Sequence, residues 1–199
     1  YGEASQFPLG SLVATFWYGI KLDLSATGYI FLIPMLIIIP GVYFNGDWCR
    51  SFQKWYTYIL IVISSGIVVS DTLLYKYWGF RMDYTPLLYL KTPKEAAASV
   101  TILQIAGVIA GVVIFSTLFI VLYRKCIDRF FVGFARVRLW IPAMLFFMLL
   151  SGSLIIPIRG GVGVAPINAG TVYFSQDLFI NHTAINVVWN VGSSVINQK

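Results

Sequence analysis

Four long stretches of the chain carry no charged residue: Leu24 to Phe44, Trp55 to Ser70, Ala96 to Tyr123 and Leu139 to Ile158. A helix needs about 20 apolar residues to cross the hydrocarbon core of a bilayer, so the first, third and fourth are long enough as they stand. The second reaches that length by running on through Asp71 to Tyr75, provided Asp71 is accommodated. The pattern predicts an all-α, polytopic membrane fold with four transmembrane helices over 24–44, 55–75, 96–123 and 139–158. A shorter apolar stretch, Phe7 to Ile20, ends at Lys21 and Asp23. It reads either as an interfacial helix leading into the first span or as the stub of a truncated one. After Ile158 the character changes. Arg159, Gly160, Gly161 and Gly163 read as a flexible joint, and Thr171 to Gln198 mix polar and apolar residues with no spanning run. The chain therefore divides into a transmembrane domain, 1–158, and a juxtamembrane connector, 159–199, that lies in the interface or in water.

Local signals refine these elements. Trp17, Trp48, Trp55, Trp78 and Trp140 stand at or near segment ends, as an aromatic belt at the headgroups requires. Thr92, Pro93 and Glu95 before Ala96 form a capping box with proline at the first helical position, which predicts that the third span starts near Pro93. Gly107 and Gly111 make a small-xxx-small pair that lets another helix approach closely, within the chain or in a dimer. Pro34 and Pro40 interrupt the first span, where neighbouring groups must re-satisfy the freed carbonyls, and mark a kink.

Composition agrees with this pattern. The 199 residues are 58% hydrophobic and 11% charged, with a mean hydropathy of +0.80, against about 25% charged for a soluble domain. The net charge of +6 then reflects basic loops facing anionic lipid, and no nucleic-acid partner is expected. Four spans put 45–54 and 124–138 on one side and 76–95 with both ends on the other. Arg50, Lys54, Arg124, Lys125, Arg129, Arg136 and Arg138 on the first side barely outnumber Lys21, Lys76, Arg81, Lys91, Lys94 and Arg159 on the second. The denser basic segment, 124–138, is placed in the cytoplasm and both termini outside. Its arginines alternate with Phe130, Phe131 and Phe134, as in a basic amphipathic helix on an anionic leaflet or in an ordinary basic loop.

Catalytic constellations are not found. His182 is the single histidine, Cys49 and Cys126 are far apart with no zinc-like spacing, and Arg159 to Gly163 lacks the lysine of a phosphate-binding loop. Asn181-His182-Thr183 matches a glycosylation sequon, a match frequent by chance. What remains is a set of ionisable residues at the outer ends of the spans: Lys21 and Asp23, Asp71, Lys76, Arg81 and Asp83, and Arg159. Charges within a membrane tend to pair or face polar cavities, so Asp71 most needs a partner. One reading is a structural ion pair near the headgroups. The other is that Lys21, Arg81 or Arg159 holds a lipid phosphate, oriented by Asp23 and Asp71.

Gly19-Ile-Lys-Leu-Asp-Leu-Ser25 resembles a G-[LI]-[RK]-x-D-L-S segment at the beginning of an early span in bacterial lipoteichoic acid synthase and phosphoglycerol transferase-like proteins. Asp83 to Leu90 followed by Thr92-Pro-Lys-Glu-Ala96, and Ile158 to Gly163 with Pro166-Ile-Asn168, are similar to stretches in Bacteroidetes-type members. The resemblance implies a five-helix domain of the bacterial cytoplasmic membrane followed by an extracytoplasmic domain of the alkaline phosphatase and sulfatase superfamily. This chain would then begin after the first helix and stop in the connector, with its C-terminus outside. It also implies a threonine nucleophile activated by a divalent metal, Mn or Mg, that takes the headgroup from an anionic glycerophospholipid. Those catalytic residues have no counterpart here. The chain is accordingly expected to anchor the enzyme and to present lipid to its own catalytic domain. Two alternatives are a multi-pass transporter or channel subunit with Asp71 on a polar pathway, and a non-catalytic membrane scaffold.

Overall fold

The computed structural model describes residues 8–44, 47–89, 91, 100–130 and 139–197. Its described elements are helical: α1 (Leu9–Tyr43), α2 (Asp47–Trp78), α3 (Thr85–Tyr89), α4 (Ile102–Cys126), α5 (Trp140–Ser153), α6 (Ile155–Arg159), α7 (Leu178–Thr183) and α8 (Val187–Ile196), with 3-10 turns at Asp128–Phe130 and Ala169–Val172. Helices α1, α2 and α4, and α5 continued by α6 over Trp140–Arg159, are each long and apolar enough to cross a membrane. They run alternately down and up, as a multi-pass membrane protein requires. Helix α1 packs on α5 and α6, and α2 packs on α4.

The lead-in segment and the first span are one helix. With 35 residues, α1 is about 52 Å long, well beyond the hydrocarbon core, and its N-terminal part lies beside the C-terminal segment. Helix α4 begins later than the Thr92 box predicts, and that box lies outside the described residues. The first residue of α4 is Ile102, and a second box with the same spacing caps it: Gln104 N–H donates to Thr101 Oγ1 at 3.3 Å, and Thr101 N–H donates to Gln104 Oε1 at 2.8 Å. Gln104 Nε2 also donates to Tyr77 of α2 at 2.7 Å, which ties the start of one span to the end of another. At Gly111 a Cβ would stand 2.9 Å from Val69 Cγ1, so this glycine sets the α2–α4 approach, whereas Gly107 faces open space.

Prolines shape the spans through the carbonyls they leave free. Pro34 cannot donate to Ile30, and Tyr56 of α2 reaches across to do so, its hydroxyl 2.8 Å from Ile30 O. Helix α1 stays continuous through both Pro34 and Pro40. Pro157 likewise cannot donate to Ser153 O, and it is there, at Leu154, that the last span divides into α5 and α6. Helix α6 closes in a Schellman turn: Gly161 N–H donates to Ile156 O at 2.9 Å and Gly160 N–H to Pro157 O at 3.0 Å, with Gly160 at φ +82°. The glycines expected to form a flexible joint therefore make a specific helix stop.

The four spans present two distinct ends. One carries Arg50, Lys54, Arg124, Lys125 and Arg129, with Asp128 3.6 Å from Arg50 and 3.9 Å from Lys54. Residues 131–138 of the expected amphipathic segment lie outside the described residues. At the other end residues 160–197 fold back on α1 and α2 as a cap. Its core is Leu22 and Ala26 of α1 with Val172, Ala184, Ile185 and Trp189. A second cluster joins Met82 with Val187 and Val191. The free thiol of Cys49 is buried between α1 and α2 near the basic end, while Cys126 is exposed.

The Tyr56 bridge predicts a coupling. Tyr56→Phe should lower the stability of the chain in detergent by about 1–3 kcal/mol, the cost of leaving a buried carbonyl unpaired. In a Pro34→Ala background, where residue 34 regains its N–H, the same change should cost markedly less. Equal losses in both backgrounds, measured by denaturant titration in micelles, contradict this role.

Candidate functional site

The ionisable residues singled out in the sequence lie at the cap end, in three separate settings. Asp71, in the last turns of α2, is 2% exposed. Its Oδ2 lies 2.9 Å from Arg81 Nη1, and its Oδ1 accepts the Met82 N–H at 2.7 Å. The chain can make this return because Gly79, at φ +71°, ends α2 and turns the next residues back along it. Arg81 then points its other terminal nitrogen at Ile185 O in the cap, at 3.4 Å, and its Nε is buried without a partner among the described residues. Asn190 of α8 completes the junction by donating to Met82 O at 2.9 Å. Asp71 and Arg81 are thus committed to each other and to holding the cap.

Asp23 has a different task. Its Oδ1 accepts from Asn186 Nδ2 at 2.7 Å, while Asn186 Oδ1 caps α8 by accepting the Trp189 N–H at 2.9 Å. One asparagine therefore starts α8 and pins it to α1. Two residues on, Ser25 is fully buried; it donates to Ile158 O at 2.7 Å and accepts from Trp189 Nε1 at 2.8 Å. That serine satisfies a last-turn carbonyl of α6 and the indole of the cap at once. Close approach needs small residues: a Cβ on Gly19 would lie 2.8 Å from Ala184 O, and one on Gly28 2.8 Å from Ile158 Cγ1.

Lys21 and Arg159 remain exposed. Arg159 Nη2 donates to Val164 O at 2.8 Å and stands at the mouth of a cleft of about 330 Å3 beneath the cap, with Tyr29, Trp189, Ser193 and Asn197 in its walls. An apolar groove of about 520 Å3 runs below it between α1 and α5, lined by Leu32, Leu36, Ile39 and Met148. The two share Tyr29, Ile155 and Ile158. Groove and cleft together offer an apolar channel along the span ending at one guanidinium, a shape and polarity that suit an acyl chain below an anionic headgroup.

His182, in α7, lies in the cap with its Nδ1 3.1 Å from Tyr75 Oη and its ring edge-on to Tyr75. Burial, and secondarily the positive charge of Arg81, hold its pKa below the usual histidine value. Asn181 of the sequon is buried: its Oδ1 accepts from Phe174 N–H and Ser175 N–H, both at 2.9 Å, and its Nδ2 donates to Ser175 O. It organises the loop before α7 and is closed to modification in the folded state. Among the described residues no group of three His, Cys, Asp or Glu side chains could hold a metal ion, so the implied divalent metal finds no ligand set here.

Residue patterns alone did not single out Ser25, Asn186, Trp189 or Asn190 as partners. Two signals were available. Thr15, Gly19, Leu22 and Ala26 repeat at helical spacing on the buried face of α1, and Trp189 is the tryptophan that stands near no span end.

Arg81→Met should destabilise the cap by about 3–5 kcal/mol, because it strands a buried carboxylate. Adding Asp71→Asn should recover part of that loss, since a neutral amide still accepts from Met82. Cap unfolding followed by Trp189 fluorescence checks this, and a double variant no better than the single one contradicts it. His182 adds a pH dependence. A folded-state pKa below the unfolded value of 6.5 means that its contribution is present above about pH 6.5 and is lost as the pH falls toward the folded pKa. His182→Gln should remove that slope from a stability-against-pH series.

Compared with protein-family models, curated proteins and solved structures, this chain matches none.

Proposed function

We propose that this chain is the membrane-anchoring, lipid-presenting domain of a bacterial envelope enzyme that transfers phosphoglycerol or a related phospholipid headgroup. The observation that carries the reading is the contact between two of the stretches that resemble the lipoteichoic acid synthase and phosphoglycerol transferase-like proteins. Gly19 to Ser25 lies directly against Ile158 to Asn168, through the Ser25 bond to Ile158 O and the packing of Ile167 on the cluster that contains Leu22. The Met82 junction, next to the third stretch, closes the same cap. Residues scattered over 150 positions of sequence thus build one surface at one end of the spans.

In this reading the cap end faces outside the bacterial cytoplasmic membrane and the basic end faces the cytoplasm, in keeping with the positive-inside tendency. The channel between α1 and α5 takes an acyl chain of an anionic glycerophospholipid, and Arg159 meets its phosphate where a catalytic domain can reach it. Asp71 and Arg81 serve as fasteners. With the Asp71 carboxylate enclosed by Arg81 and the Met82 N–H, a polar transport pathway through it gains no support.

The test is headgroup release by the intact protein in phosphatidylglycerol vesicles with Mn2+. Diacylglycerol should appear, and Arg159→Gln should slow it about tenfold, the worth of one hydrogen bond to a charged group, with cap stability unchanged. No release from any glycerophospholipid, or full activity in the Arg159 variant, contradicts the enzyme or the presenting role respectively.

A further inference from the structure

At the basic end, away from the proposed headgroup site, a second and larger groove of about 620 Å3 lies between α1, α2 and α4. Its walls are mainly apolar, with Pro34, Leu60, Ile61, Phe115 and Phe119 among them. Tyr56, tied to the Ile30 carbonyl that Pro34 leaves free, spans one side. Toward the basic end lie Gln53 on α2 and Tyr123 in the last turn of α4, while Thr57, Ser64 and Ser65 are further polar side chains along the α2 wall. Gln53 Nε2 is buried with no hydrogen-bond partner among the described residues, so a donor is left unpaired at this end of a mainly apolar groove.

Immediately beyond that end the side chains become cationic. Arg50, one turn before Gln53, joins Arg124, Lys125 and Arg129 around a cleft of about 470 Å3 in which Asp128 is the single acid among the described residues. Arg124 and Lys125 are exposed. An elongated apolar groove, then an unpaired amide donor, then a cluster of cations reproduces in order the chemistry of one class of molecule: acyl chain, ester carbonyl, phosphate.

The geometry points to a site for an anionic glycerophospholipid in the leaflet at the basic end, its acyl chain between α1, α2 and α4, an ester carbonyl accepting from Gln53 Nε2, and its phosphate against Arg50, Arg124 and Lys125. Charge complementarity selects the occupant. A zwitterionic lipid brings a cation into a cleft that already holds an excess of them, and an acidic peptide has nothing to place in the groove. The site is independent of the headgroup-transfer reading, since it lies at the opposite end and touches neither Arg159 nor the cap. Its expected effect is to fix α2 against α4 where the Asp128 bridges alone are exposed and weak.

The experiment uses the full chain reconstituted in vesicles of equal phosphatidylglycerol and phosphatidylcholine, extracted in mild detergent, with the retained lipid counted per protein. The unaltered chain should retain phosphatidylglycerol over phosphatidylcholine by about 25-fold, and Arg124→Gln with Lys125→Gln should bring that ratio near one, since each basic residue near an anionic lipid contributes about fivefold. Ser64→Phe, which fills the groove and leaves every basic residue in place, should lower the retained phosphatidylglycerol itself. Should Ser64→Phe lose its helix content, Gln53→Leu, which removes the unpaired donor at nearly constant volume, decides by the same criterion. Equal retention of both lipids, retention of detergent alone, or phosphatidylglycerol retention unchanged by the groove variants overturns the site. The last outcome would place the lipid on the general surface of the spans.

Discussion

A carboxylate buried at the end of a spanning helix is the constraint around which the cap end is organised. Removing Asp71 from water is costly unless the charge is paired and both oxygens are bonded. The chain meets that demand locally, by turning at Gly79 so that Arg81 and the Met82 N–H arrive on the two oxygens. The consequences reach further than the pair. Once fixed, Arg81 and Met82 offer bonding groups to Ile185 and Asn190, and the C-terminal segment has a place to dock on α2. A buried pair of this kind contributes more to specificity of arrangement than to net stability.

The second half of the docking surface belongs to α1, and it is built from smallness as well as hydrogen bonds. Gly19 admits the Ala184 backbone and Gly28 admits Ile158, so the cap and α6 come close enough for Ser25 to serve both. The exposed surface of the spans is covered with large apolar side chains, as contact with lipid requires, whereas the tightly buried residues concentrate in the cap and its seam. Well-packed, water-excluded protein is therefore found mainly outside the longest apolar runs. The proposed lipid-presenting role fits such a build: a groove between α1 and α5 lies beneath a surface fixed by hydrogen bonds.

Much of the fold was legible in the sequence. Long charge-free runs have one physical solution in a bilayer, and the four spans, their alternation and the two chemically distinct ends follow from that. The need of Asp71 for a partner was legible too, because an uncompensated charge there is prohibitive. The identity of that partner was not, because it is the turn at Gly79 that brings Arg81 onto the carboxylate. The start of the third span was less legible: a Thr101/Gln104 box caps the helix at Ile102, and Gln104 also bonds Tyr77 of α2, a partner that only the fold supplies. The cap was the least legible part. Its helices α7 and α8 are short, and Ser25, Asn186 and Trp189 acquire their meaning from one another across more than 160 positions of sequence.

Whether residues 160–197 are an integral cap or a loose connector decides most of this account. Hydrogen exchange of the full chain in phosphatidylcholine nanodiscs tests it directly, because protection reports local opening. The account predicts that the amides of Trp189 and Val191 exchange as slowly as those of Leu22 and Ala26 in α1. Exchange of α8 at the rate of an unstructured peptide, with α1 still protected, would contradict it.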